Sequence, residues 1–216
     1  MKYGVIGASG RLGSEVVNLF NEKKHHLVFA YDVDGEWKND KPDVLIDCSL
    51  PEVFNKSINY ACEFNIPFII ATTGLSEENF GLMKKYSKQF PIVQSYNYSL
   101  GIQVLLKLTA DAKKYLSDFD VEITETHHRF KKDKPSGTAK MIQKLFEEKE
   151  INTSSLRLGN VPGDHTVSFG GLGEVLSISH RALSRRTFAE GILLSAKFAL
   201  KKKKGFYSFT EVVFNK

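Results

Sequence analysis

The chain has 216 residues, 42% of them hydrophobic, enough to bury the core of one large or two modest domains. Its formal charge of +5 and pI near 9.0 favour anionic partners: nucleotides, carboxylates or nucleic acid. Cys48 and Cys62 lack metal-ligand spacing and argue against a disulfide framework. No run approaches the roughly 18 continuous apolar residues of a membrane span, and the first apolar run begins at Tyr3, so the expectation is a cytoplasmic protein without signal peptide or membrane contact.

Tyr3 to Gly7 reads as a short buried strand, followed by a glycine turn and a helix through about Asn21. Further strands are expected at His26–Asp32, Asp43–Cys48, Pro67–Thr72 and Ile92–Gln94, with helices at Glu52–Asn65 and Glu77–Lys88 between them. Apolar strands alternating with amphipathic helices indicate an α/β fold, a Rossmann-like doubly wound parallel sheet. At about Ser99 the rhythm changes. A long helix (Val104 to Leu116), a strand (Asp120 to Thr126), a helix (Thr138 to Glu148) and two alternating segments (His165–Phe169, Glu174–His180) read as a second, open α+β domain. From Arg186 a helix and a short final strand look fit to rejoin the first sheet, which divides the chain into 1–98 with 185–216, and 99–184. The run Lys201–Lys204 suits a solvated helix end.

Gly7, Gly10 and Gly13 stand between the first strand and its helix. Glycines there let the backbone turn tightly, approach a pyrophosphate and pack the helix on the sheet. The helix start adds N–H donors and partial positive charge. The spacing is GxxGxxG rather than the strict GxGxxG, and its position carries the reading. Asp32 ends the next strand, where a ribose-binding acid belongs, and favours the 2′-OH of NADH. Arg11, Lys38 and the positive charge leave NADPH open. Ala71-Thr72-Thr73-Gly74 and Gln94 to Ser99 also follow strands, at the end where a doubly wound sheet binds ligands, although the same residue types are ordinary loop formers.

The segment from His127 to Ala139 holds two imidazoles, an Arg, several Lys residues and a Ser-Gly-Thr turn. His127 and His128 point to opposite sides of an extended segment, so their tasks should differ. A histidine titrating near neutrality can donate a proton, and the Lys131 ammonium suits a carboxylate or proton donation. The N–H groups of Gly137 and Thr138, with the Thr138 hydroxyl, form a ready carboxylate cradle. The same residues also fit structural roles: Ser136 as a helix cap, the lysines as solvated charge, the histidines as packing. Adjacent histidines with no suitably spaced Cys or carboxylate argue against a metal site.

The run His127-His128-Arg129-x-Lys131-x-Asp133-x-Pro135-Ser136-Gly137-Thr138-Ala139 closely resembles the signature of the dihydrodipicolinate (4-hydroxy-tetrahydrodipicolinate) reductase family of lysine and diaminopimelate biosynthesis. The loop Gly7 to Gly13, Asp47-Cys48-Ser49, Ala71-Thr72-Thr73-Gly74, Tyr96-Asn97-Tyr98-Ser99 and Ser184-Arg185-Arg186-Thr187-Phe188 resemble five further elements of that family, in order along the chain. The resemblance implies a homotetrameric NAD(P)H-dependent oxidoreductase of two-domain subunits, with residues 1–98 and 185–216 holding NADH or NADPH. Residues 99–184 would hold a small dicarboxylate substrate and form the tetramer core, and closure of one domain on the other would exclude water. It implies His127 and Lys131 as the proton-transfer pair and His128, Ser136, Gly137, Thr138 and Arg185 as carboxylate ligands. Cofactor contacts would fall to Gly7, Ala8, Ser9, Gly10, Arg11, Leu12, Asp32, Ala71, Thr72, Thr73, Tyr96, Asn97, Tyr98 and Ser99.

The chain departs from the family pattern in being shortened between Asp34 and Asp43 and near Gly159 to Pro162. Ala71 replaces a glycine, and Val33 stands where an arginine often follows the ribose-binding acid. Another two-domain Rossmann dehydrogenase, acting on aspartate or its semialdehyde, would account for the glycine loop but not for the His127 segment. An NAD(P)-sensing or RNA-binding protein is opposed by Glu147, Glu148 and Glu150 among the basic residues and by the lack of an aromatic-basic stacking platform.

Overall fold

The structure is a computed structural model that describes residues 1–32, 34–146 and 151–215, with the backbone alone at 36–39. The chain begins β1 (Lys2–Ile6), α1 (Gly13–Glu22), β2 (His26–Asp32), β3 (Gly35–Asn39), β4 (Val44–Asp47), α2 (Phe54–Phe64) and β5 (Phe68–Ile70). It continues α3 (Glu77–Tyr86), β6 (Pro91–Gln94), α4 (Leu100–Tyr115), β7 (Asp120–His127), α5 (Gly137–Gln143) and β8 (Asn152–Arg157). Then follow β9 (Asp164–Gly170), β10 (Val175–Arg181), α6 (Arg186–Ala199), β11 (Gly205–Ser208) and α7 (Phe209–Phe214). Two compact units result, Met1–Tyr98 with Arg185–Lys216, and Ser99–Ser184.

In the first unit seven strands form one sheet in the order β11-β6-β5-β4-β1-β2-β3. Every neighbouring pair is parallel except β2 with β3. A parallel sheet must be covered on both faces, which is why β4, β5 and β6 are buried along their whole length and read as continuous apolar runs. Val16, Leu19 and Phe20 of α1 join Ile192, Leu193 and Ala196 of α6 and Phe209 of α7 in one core cluster. Phe54, Ile58 and Ala61 of α2 pack with Met83 of α3 in another. Strand order reverses between β1 and β4, so the C-terminal ends of those strands form the crevice in which such sheets bind ligands.

The second unit has a four-stranded sheet, β10-β9-β7-β8, with β7 parallel to β8 and antiparallel to β9. Leu105 of α4, Ala139 and Ile142 of α5 and Phe146 cover one face, against Ile123, Val167 and Phe169. The opposite face carries hydroxyl pairs, Thr166 with Ser179 and Ser168 with Ser177, and the Ser154–Glu122 hydrogen bond, all exposed. The expected fold class, a doubly wound sheet with a second α+β unit, is the observed one.

Several elements differ from expectation. β3 follows the Asp34-Gly35 turn as an antiparallel edge strand, and β8 is an edge strand of polar sequence, Asn-Thr-Ser-Ser-Leu-Arg; neither carries an apolar rhythm. α4 starts at Leu100 because the Ser99 hydroxyl caps it, accepting from the Ile102 N–H at 3.4 Å. α7 was not expected, yet Ser208 and Glu211 form a capping box that its sequence spells out. α5 ends at Gln143 and passes into a 3₁₀ turn over Lys144–Phe146. Val33, Glu147, Glu148 and Glu150, and the Lys38 side chain, lie outside what the structure describes. Lys201–Lys204 follow α6 and are exposed.

Gly191 sets the approach of α6, since a Cβ there would stand 1.8 Å from the Tyr98 carbonyl oxygen. Gly81 in α3 has nothing within 4 Å of such an atom. Gly191→Ala should therefore lower stability by about 3 kcal/mol, as overpacking does, whereas Gly81→Ala should raise it by roughly 0.5 kcal/mol. Urea unfolding of both variants checks this, and equal effects would remove the close approach as the cause.

Candidate active site

Gly7 has φ +79, and a Cβ there would come 2.8 Å from the Cys48 carbonyl oxygen; at Gly13 it would come 2.0 Å from the Gly7 carbonyl oxygen. The loop between β1 and α1 is thus held so close to the end of β4 and to its own helix that only glycine fits at these two positions. α1 opens at Gly13 with no side-chain cap. A bare helix start behind a glycine cradle, at the reversal of strand order, fits the phosphates of a dinucleotide. Asp32 Oδ2 accepts from the Ser9 N–H at 2.6 Å, so the strand-end acid also braces the loop. Arg11 and Ser9 are exposed, while Ala8 and Leu12 direct their side chains into the core.

The ends of β4 and β5 are tied by a residue whose role the sequence reading passed over. Asp47 is fully buried, and its Oδ1 accepts from the Ser49 N–H at 2.9 Å, the Ser49 hydroxyl at 2.5 Å and the Thr72 hydroxyl at 2.8 Å. Ala71, Thr72 and Thr73 are fixed in this way beside the glycine loop's neighbour strand. Tyr98 is buried, its hydroxyl within 2.9 Å of Ile70 O and 3.1 Å of Val93 O and its ring against Phe209. What Tyr98 can offer a ligand is therefore main chain. Asn97 is shaped by Ser95, whose hydroxyl donates to the Asn97 carbonyl at 2.8 Å, and Tyr96 lies beside Phe80. Arg185 precedes α6 in the first unit; burial, then the nearby Arg11, lower its pKa.

In the second unit the sheet register builds a buried charged cluster. Ile123, Glu125 and His127 alternate onto the helix-covered face of β7. Register places His165 of β9 opposite Glu125, and Arg157 of β8 opposite His127. Glu125 is fully buried and hydrogen-bonded to His127 Nδ1 through Oε2. Arg157 reaches Oε1 at 3.0 Å and Oε2 at 3.1 Å. Burial pushes the Glu125 carboxyl up, but the hydrogen bonds from His127, Arg157 and Ser155 outweigh it and bring it down to about 2. His165 packs edge-on to His127, ring centroids 5.1 Å apart, and burial, with the His127 charge, pushes it down to about 3.

His165 Nε2 lies 3.2 Å from the Ser136 hydroxyl oxygen, which also accepts from the Ala139 N–H at 3.1 Å and so caps α5. Beyond β7 the chain turns, with Arg129 N–H donating to Gly159 O and Lys131 N–H to His128 O. Lys131 Nζ is 2.8 Å from Asp133 Oδ1; burial pushes the Asp133 carboxyl up, yet the ammonium beside it holds it below its usual range. His127, His128, Lys131, Ser136, Gly137 and Thr138 thus gather between the end of β7 and the start of α5. His127, His128, Ser136 and Thr138 are buried. Glu125, Arg157 and His165 belong to the same cluster and were missed. Glu125 and His165 sit at alternating strand positions that look like any half-buried residue, and Arg157 ends a strand with no apolar signal.

Glu125, His127 and His165 could each turn one ligand atom to within 4.8 Å of the others. Both Glu125 oxygens, however, already face the fixed guanidinium of Arg157, whose charge repels a cation. The cluster is a charge-balanced hydrogen-bond network.

Models of the C-terminal and N-terminal regions of dihydrodipicolinate reductase match residues 101–213 and 34–98. The 4-hydroxy-tetrahydrodipicolinate reductase of Thermosipho africanus is 44% identical over 99% of this chain and 98% of its own length. The chain belongs to the dihydrodipicolinate reductase family. A second relative of the same name, from Rickettsia rickettsii, is 36% identical over 98% of each chain. Among solved structures, the dipicolinate-bound dihydrodipicolinate reductase of Paenisporosarcina sp. TG-14 shares the fold, with a TM-score of 0.75 at 22% identity over 96% of this chain and 97% of that one. The Thermosipho match over 213 residues shows that a family member can be as short as this one. The N-terminal model begins at residue 34, beyond the glycine loop, which the full-length relatives cover.

The depressed His165 fixes a pH signature of stability. Above pH 6.5 folded and unfolded chains both hold it neutral. As pH falls from 6.5 towards 3 the unfolded chain takes up a proton that the folded chain refuses, so stability drops by about 1.4 kcal/mol per pH unit. His25 and His180, also lowered by burial, add to this window, and Glu125 contributes only below its ordinary 4.5. In His165→Gln, urea midpoints between pH 6.5 and 4.5 should lose about one proton's worth of slope. An unchanged slope would mean that His165 titrates normally.

Proposed function

We propose that this chain reduces 4-hydroxy-tetrahydrodipicolinate to tetrahydrodipicolinate with NADH or NADPH, in lysine and diaminopimelate biosynthesis in the cytoplasm. The observation that carries the reading is the gathering of His127, Lys131 and Ser136 about one buried charged cluster, with His128, Gly137 and Thr138 next to them in the chain, which is matched end to end by reductases of that name. The dipicolinate bound to the Paenisporosarcina enzyme supports a planar dicarboxylate as the substrate class.

In this reading the first unit, residues 1–98 and 185–216, binds the cofactor and residues 99–184 bind the substrate. Gly7 to Leu12 cradle the pyrophosphate, Asp32 takes the ribose, and Ala71 to Thr73 with Tyr96 to Ser99 line the nicotinamide side. The bound nucleotide supplies a hydride to the ring of the substrate. The protein supplies the rest. His128, Ser136, Gly137, Thr138 and Arg185 hold the two carboxylates, each by N–H or O–H donation or by positive charge. Lys131 and His127 deliver the proton that balances the hydride, with Lys131 the direct donor or orienter, and the 4-hydroxyl of the substrate leaves as water. The exposed hydroxyl-rich face of the second sheet supports a homotetramer assembled through this unit.

Oxidation of NADH and NADPH, followed by absorbance with the fresh condensation product of pyruvate and aspartate semialdehyde, tests the reaction. Lys131→Ala should lower turnover by about 10²-fold while NADH binding stays at the parent level. Near-parent turnover would take Lys131 out of the mechanism. Asp32→Ala should weaken NADH more than NADPH, measured as the ratio of their KM values; an unaltered ratio would sink the ribose assignment.

A further inference from the structure

We propose that Arg157 is the positioning residue of this site, one guanidinium that both orients His127 through Glu125 and holds the main chain that carries Lys131. A guanidinium has five N–H donors in a rigid fork and no acceptor. In this structure each has an acceptor. Nε donates to Lys131 O at 3.1 Å, Nη1 to Glu125 Oε2 at 3.1 Å and Leu156 O at 2.6 Å, and Nη2 to Glu125 Oε1 at 3.0 Å and Asp133 O at 2.5 Å. The side chain is only 9% exposed, and its bonds to Glu125 and to Lys131 O are part-buried, so those three act with little competition from water.

The pattern has two consequences. First, Glu125 is fully buried against a cation and ionised, hence an acceptor only, so the hydrogen it shares with His127 belongs to Nδ1. Nε2 is then the ring atom without that hydrogen, beside Gly163, where a Cβ would stand 3.0 Å from it. Second, residues 128–136 form no regular element, and Arg157 holds the carbonyls of Lys131 and Asp133, the two residues whose side chains form the Lys131–Asp133 ion pair. One side chain therefore joins the imidazole and the ammonium to a single point on β8. Lysine, a point charge with three donors, cannot reproduce this.

The inference rests on His127 and Lys131 being the proton-transfer pair. Its test is the kinetics of Arg157→Lys and Arg157→Ala, together with ¹⁵N NMR of the His127 ring in the parent protein. Arg157→Lys should lose about 10²-fold in kcat, the scale of a misplaced catalytic group, with KM for NADH at the parent value. Guanidinium ion added to Arg157→Ala should restore part of the lost kcat. In the parent the neutral His127 ring should carry its hydrogen on Nδ1. Parent-like kcat in Arg157→Lys, or an Nε2–H ring in the parent, would overturn the proposal, the latter even if neither variant folds. His127→Gln and Lys131→Ala assayed alongside separate the two levels. If both keep full turnover, the reading of the site has failed; if both lose it while Arg157→Lys does not, only the role of Arg157 has.

Discussion

A carboxylate with no solvent access, Glu125 in the middle of a sheet, is the constraint around which the second unit is organised. An unpaired charge there would cost several kcal/mol, so the fold must bring it a cation and fill its lone pairs. Arg157 does both, and can do so only because β8 runs parallel to β7 in a register that sets Arg157 opposite His127. β9 pairs on the other side and sets His165 opposite Glu125. The packing of that sheet and the placement of its polar side chains are one problem with one solution. Removing either partner would leave a buried charge behind, a loss on the order of 3–5 kcal/mol.

The first unit meets a different demand. A parallel sheet buried on both faces has no polar surface except at its strand ends, so its chemistry collects there. Asp47 illustrates how such an end is kept rigid: its Oδ1 gathers three donors from Ser49 and Thr72, tying the exits of β4 and β5 together. The glycine loop adds the complementary feature, backbone where side chains would otherwise stand. Gly7 and Gly13 are required by contacts inside the protein, with Cys48 and with the loop itself, before any ligand enters.

Much of this was legible along the chain. Continuous apolar runs marked β1, β4 and β5, because a doubly covered strand has no polar side to interrupt it. Glycine spacing, the Asp32 strand end and the His127–Thr138 segment marked the candidate site, because those residue types are dictated by backbone geometry and local capping. Edge strands escaped: the sequences of β3 and β8 carry no apolar period, and β8 is half solvated. The start of α4 was misplaced because Leu100 to Gln103 show no amphipathic pattern until Ser99 is seen to cap them.

What the sequence by itself determined was local: which segments become strands and helices, where glycine is obligatory, and which short run concentrates proton donors beside a helix start. Such features depend on neighbours a few positions away, and the chain writes them contiguously. What only the tertiary structure decided was which distant residues complete the site. Glu125, Arg157 and His165 are separated in sequence and meet through strand register, a long-range property that no local pattern encodes. Packing within the first unit likewise decided that Tyr98, placed by sequence among the ligand-facing residues, spends its ring and hydroxyl on the core.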